Sequence, residues 1–158
     1  MWLQLEEVQG ATPEDIKTVQ LLRTGNFKYG GYGAFDITSD NLRQLKSNFD
    51  SNVRRVKIAV DYFHASYAEA AGWIEAIELR NADNELWITV DWTAEAVEKI
   101  MGKEIRYLSA DMDFNYMDIE SGVEFGCVLM GAGLTNRPYI KDMKAIISEL
   151  SGIDRKKQ

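Results

Sequence analysis

Two alternating runs separated by four turn residues constrain this chain more than any other feature. Gly72-Trp73-Ile74-Glu75-Ala76-Ile77-Glu78-Leu79 reads as a strand, and Asn81-Ala82-Asp83-Asn84 supplies turn chemistry. Glu85 to Trp92 then places Leu86, Ile88, Val90 and Trp92 on one face. A period of two suits a strand and not a helix, so the segment predicts a hairpin with one buried face. Further strand-like runs surround it. Val19-Gln20-Leu21-Leu22 is short; Val56 to Phe63 ends at His64; Glu104 to Leu108 ends at Ser109. Met112 to Tyr116 is a looser continuation, and Asp118 to Gly122 a turn. Val123 to Leu134 is apolar and rich in glycine, as expected of a buried strand that lies close to other backbone. Gly25 to Gly33 reads as a loop or hairpin, and its glycines lack the spacing of a phosphate loop.

Three helices are expected between these strands. Thr38 or Ser39 caps the first, which runs to about Phe49 with Leu42, Leu45, Phe49 and Val53 as its apolar stripe. Thr93 caps a second over Ala94 to Met101, and Gly102 stops it. Ile140, Met143, Ile146, Ile147 and Leu150 give the stripe of a C-terminal helix. Ala65 to Ala71 is a short turn or loop, and Trp2, Leu3, Leu5 and Val8 alternate loosely at the start. The pattern is α+β, built on a small closed or highly curved β-barrel with surrounding helices. The 158 residues suit one domain, placed at 1–150, with a charged tail at 151–158.

Composition narrows the function. A net charge of −7 disfavours contact with nucleic-acid phosphates. No apolar run approaches the roughly 20 residues that span a bilayer, and no secretory signal opens the sequence. The single Cys127 excludes an internal disulfide and points to a reducing compartment. One histidine and one cysteine cannot build a zinc site, and the carboxylates lack calcium-loop spacing, so neither metal nor cofactor is expected.

What remains is one base and one nucleophile, His64 and Ser109, each at the end of a strand-like run. A serine hydroxyl is almost inert at neutral pH. It needs an imidazole within about 2.6–3.2 Å to take its proton as attack begins. A third group that fixes the imidazole makes the pair more effective. Asp61 is near in sequence, although residues i and i+3 of a regular strand face opposite ways, so the strand would have to bend. Asn136 and Glu124 are the alternatives. Cys127 beside Gly126 reads as a small buried side chain.

Five stretches in order resemble one family. They are Val60-Asp61-Tyr62-Phe63-His64, Ala71-Gly72-Trp73-Ile74, Leu86 to Thr93, Ile105-Arg106-Tyr107-Leu108-Ser109 and Leu134-Thr135-Asn136-Arg137-Pro138. Together, over roughly residues 20 to 143, they resemble the protease part of the Mu-like phage I protein, a prohead (capsid maturation) protease made as one chain with a scaffold segment. The resemblance implies a fold like that of herpesvirus assemblin and tailed-phage prohead proteases. It implies Ser109 as nucleophile and His64 as general base. It implies phage scaffold and major capsid proteins as substrates and action inside the procapsid in the host cytoplasm; the charge and the lack of a long apolar run leave no nucleic-acid or membrane partner expected. By the same analogy, backbone N–H groups after the Gly-rich strand would bind the oxyanion, with Arg137 nearby, and residues 151–158 would join a scaffold segment. Self-association stays open.

The sequence departs from the family at Phe63 and Ala65, where relatives carry an acid and a glutamine around the histidine, and at Ala110, where they carry proline. The third member of assemblin-like sites would fall at Met130 to Ala132, which cannot serve. Two other readings are therefore kept: a non-catalytic, protease-like assembly module, and a hydrolase of some other ester or amide.

Overall fold

A computed structural model describes residues 12–28 and 33–146. A 3-10 turn over Pro13–Ile16 leads into β1 (Thr18–Arg23), followed by a hairpin of β2 (Gly25–Lys28) and β3 (Ala34–Ile37). Then come α1 (Ser39–Asp50), β4 (Ile58–Tyr62), β5 (Gly72–Arg80), β6 (Glu85–Trp92) and α2 (Ala94–Met101). The long pair β7 (Tyr107–Met117) and β8 (Glu124–Thr135) completes the order.

The local signals explain these bounds. Thr38 accepts a hydrogen bond from the Asn41 N–H, while the Asn41 side chain accepts from the Thr38 N–H, closing the first turn of α1. Thr93 does the same one-sided work for α2, whose Ala96 N–H it binds at 3.2 Å. The expected hairpin is β5–β6, in register from Gly72↔Trp92 to Arg80↔Glu85 with one shift between Ile74 and Ala76.

Six strands form one sheet in the order β1-β6-β5-β4-β8-β7. Every neighbouring pair is antiparallel except β4–β8, which is parallel. The sheet curls until its edge strands β1 and β7 touch, giving an α+β half-barrel with two α-helices among the described residues. The inner face is the core. Val60, Ile74, Ile77, Leu86, Ile88, Leu108, Ala132 and Leu134 point into it, and α1 closes it with Leu42 and Leu45, both 0% exposed. The Gln44 side chain of α1 accepts from the Cys127 N–H, and Asn48 donates to the Phe125 and Cys127 carbonyls, so α1 is pinned to β8.

The seam between β1 and β7 is crossed by residues 138–146. Tyr139 donates to the Ala110 carbonyl, Arg23 donates to the Lys141 carbonyl, the Lys144 N–H binds buried Gln20, and the Ile146 N–H binds the Arg106 carbonyl. The expected C-terminal helix is therefore not formed over Ile140 to Ile146. The backbone N–H groups of Lys144 and Ile146 go to Gln20 on β1 and to Arg106 just before β7 instead of to carbonyls one turn back, while Ile140 and Ile146 are still buried. Ile147 and Leu150, and the alternation at Trp2 to Val8, lie outside the described residues.

Candidate active site

The registers of three strands place the candidate residues in one line. On β7, Ser109 pairs with Gly133 of β8; Gly133 in turn pairs with Asp61 of β4. Their strand neighbours Leu108, Ala110, Ala132, Leu134 and Val60 face the core, so by alternation Ser109, Gly133 and Asp61 share the outer face. Ser109 is only 4% exposed there.

His64 joins this row by a turn. The sequence reading set it at the tip of the strand, but β4 ends at Tyr62. Phe63 and His64 then adopt left-handed backbone, with φ of 56° and 61°. The Phe63 N–H bonds to the Leu134 carbonyl at 2.9 Å and the Ala65 N–H to the Tyr62 carbonyl at 3.0 Å, so the chain is held as it reverses. This removes the objection to Asp61. The bend that alternation required is present, and it folds His64 back over Gly133 onto the face that Asp61 occupies. Two consecutive non-glycine residues in this region cost about 1–3 kcal/mol each, a strain that accumulates where function needs a fixed geometry.

Gly133 makes room for the fold-back. A Cβ built on it would lie 2.9 Å from the His64 backbone nitrogen, 3.1 Å from His64 Cε1 and 3.1 Å from Asp61 Oδ1. The imidazole and the carboxylate thus both lie against a residue with no side chain.

Burial raises the Asp61 pKa, while the charge of His64 and its backbone N–H act to lower it and the Asp111 carboxylate acts to raise it. Among the described residues, Asp61 Oδ1 is buried without a hydrogen-bond partner. An unsatisfied buried acceptor of this kind is expensive and has a natural complement in a ring N–H. In this ground-state geometry Ser109 and His64 are not hydrogen-bonded to each other. Catalytic hydrogen bonds often tighten only when substrate is bound.

The raised Asp61 pKa has a consequence for stability. Below the ordinary carboxylate range the group is neutral in both folded and unfolded chains, and nothing is lost. As pH rises through the folded value, the fold must bury a charge that the unfolded chain leaves in water, so stability falls. Asp61→Asn is therefore expected to raise Tm at pH 7, and the gain should shrink to nothing near pH 3. Thermal unfolding of both proteins across this range measures it; a gain independent of pH would show that burial of charge is not its origin.

The other sequence candidates fall elsewhere. The Asn136 carbonyl oxygen accepts the Arg106 N–H and its amide nitrogen donates to the Glu104 carbonyl, both at 2.9 Å, so it ties the α2–β7 connection to the end of β8. Glu124 pairs with Met117 at the opposite end of the β7–β8 hairpin. The Arg137 N–H is engaged by Thr135 Oγ1. Cys127 is buried, and that burial pushes its thiol pKa up to about 11, which leaves it inert. Sequence reasoning missed Gly133 as part of the site. The glycines of Val123 to Leu134 signalled close backbone approach, but only the register shows which one lies beneath the histidine.

Residues 19–147 match the family model described as Mu-like prophage I protein, N-terminal domain. The chain belongs to that family. No curated protein and no solved structure matches it. All four residues of the row lie inside the span shared with the Mu-like I proteins. No described group of His, Cys, Asp and Glu could hold a metal ion, and no described helix is long and apolar enough to cross a membrane.

Proposed function

We propose that this Mu-like I protein domain is a serine endopeptidase of phage head maturation, cutting scaffold and capsid proteins and its own longer chain inside the procapsid. The assemblin-like protease fold is part of the same reading, supported by the curled sheet with its helices. The observation that carries the proposal is the approach of both Asp61 and His64 to Gly133, one strand from Ser109.

The chemistry follows from that row. Ser109 Oγ attacks the scissile carbonyl carbon as His64 takes its proton, and a C–O bond forms. His64 returns the proton to the departing amine as the C–N bond breaks. Water then hydrolyses the acyl-enzyme by the same base, releasing the acid and restoring Ser109. Asp61, desolvated and without a partner at Oδ1, accepts the ring N–H once the imidazole turns to it and stabilises the imidazolium that forms between steps. Backbone N–H groups of the turn after β8 serve as oxyanion donors in this reading, each contributing about 3–4 kcal/mol.

The second reading, a protease-like assembly module, is favoured by the absence of a Ser109–His64 hydrogen bond in the ground state. A phosphonofluoridate separates the two. Intact mass should show one adduct on wild type, mapped by digestion to Ser109, and labelling should slow by at least about 100-fold in His64→Ala. Absence of any adduct, on this domain and on the scaffold-fused chain alike, would overturn the peptidase reading in favour of the module.

A further inference from the structure

A second row on the outer face runs beside the first. Two residues along the strands from Ser109, Gly133 and Asp61, Asp111 pairs with Gly131. A Cβ on Gly131 would stand 3.3 Å from the Ala59 carbonyl; Ala59 pairs with Trp73, and Trp73 with Asp91. The middle of this row carries no side chain longer than a methyl group, so its floor is low. Its far end opens into a cavity of about 770 Å³, bordered by Trp73, Glu75 and Asp91 on one side and by the α1–β4 loop on the other.

Trp73 is an unusual lining residue. Its neighbours Gly72 and Ile74 are buried in the inner layer, whereas Trp73 stands 41% exposed on the outer face, with the Asp91 carboxylate as its cross-strand partner. Arg55 pairs with Asp118 and Glu120 and Arg54 sits over the Tyr116 ring, while Lys57 and Glu75 form no ion pair among the described residues. Among the described residues, Asp91 forms no ion pair. An aromatic face flanked by a free carboxylate is the arrangement that binds an ammonium or guanidinium group: the ring quadrupole attracts the cation and the carboxylate fixes it.

The spacing relates this place to the scissile bond. Trp73 on β5 lies three strand separations of about 4.8 Å across from Ser109 on β7 and two residues along, roughly 16 Å in all. An extended peptide covers that in about four to five residues.

We propose that the cavity at Trp73 and Asp91 is a specificity site of the peptidase, which takes a lysine or arginine side chain of the substrate about four to five residues from the bond that is cut. The peptide backbone lies over Gly131 and Ala59 on its way there. This rests on the peptidase reading of Ser109 and extends it to the class of substrate.

Two measurements with one peptide set test it. The set is alanine-based decapeptides carrying a single lysine at successive positions, each matched by a norleucine peptide of the same length. Turnover by the wild-type domain should rise about tenfold for lysine over norleucine at one position about four to five residues from the cut. That ratio should fall to about one in Asp91→Asn and in Trp73→Leu, and be kept in Glu98→Gln, which lies on α2. Binding of the same peptides to Ser109→Ala, followed by calorimetry, is independent of chemistry and should show the same ratio and the same loss on adding Asp91→Asn. Binding with this pattern but no cleavage would leave the cation site standing and remove the peptidase. Cleavage without a positional lysine preference would leave the peptidase standing and overturn the cation site. An equal preference in Asp91→Asn and wild type would also overturn it.

Discussion

Replacing Ser109 by alanine is expected to reduce proteolysis by about four to six orders of magnitude while leaving Tm within a few degrees of wild type. The size follows from the role. Without the hydroxyl no acyl-enzyme forms, and only the residual catalysis of substrate binding and oxyanion donors remains, as when any member of such a unit is removed. The small effect on stability follows from place. Ser109 is flanked by Leu108 and Ala110, which carry the inner-face packing, and its own side chain looks to the outer face. Alanine keeps the Cβ and the β7–β8 ladder. Release of fluorescent fragments from a labelled casein, against wild type at matched concentration, reads the loss. Retention of more than about a tenth of wild-type activity would remove Ser109 from the mechanism.

Gly133→Ala should have nearly as large an effect through a single methyl group. The new Cβ would come within 2.9 Å of the His64 backbone nitrogen and 3.1 Å of both His64 Cε1 and Asp61 Oδ1. A backbone atom cannot yield as a flexible side chain can, so the whole turn at Phe63 and His64 must lift from β8. A displacement of the base by about 1 Å costs on the order of 100-fold in rate, and loss of the Asp61 contact adds to it. Gly133 itself sits in ordinary strand backbone, not in the left-handed region, so alanine adds no backbone strain there. The variant should therefore fold, with an unchanged far-ultraviolet circular dichroism spectrum, and label with phosphonofluoridate at least about 100-fold more slowly than wild type. Labelling at the wild-type rate would show that His64 does not act from its place over Gly133.

Much of the framework was legible before any coordinates. The β5–β6 hairpin, the Thr38 and Thr93 caps and the extents of α1 and α2 are local: a period of two or a capping hydroxyl acts within one or two turns of chain, and nothing distant competes with it. The curl of the sheet was legible only as a class, because many strands with few helices require either closure or strong curvature. The helix expected at Ile140 to Ile146 failed for the complementary reason. Its apolar spacing was real, and Ile140 and Ile146 are buried, but Gln20 on β1 and Arg106 just before β7 take the N–H groups of Lys144 and Ile146. Spacing alone reports which residues are buried and not which partners their backbone finds.

The site divides in the same way. Sequence by itself supplied the candidates, a single His64 and one Ser109 in matching motif context, and membership of the Mu-like I protein family over residues 19–147. It put Asp61 first for the third place, with Asn136 and Glu124 as alternatives. Where each of them lies depends on tertiary structure, because it follows from pairing across strands far apart in the chain. The parallel register of β4 on β8 puts Asp61 beside Gly133, the left-handed turn at Phe63 and His64 lays the imidazole over that glycine, and Asn136 is spent on the backbone of Glu104 and Arg106. Alternation along one strand fixes which face a residue takes; which residues of other strands share that face is decided only when the strands pair.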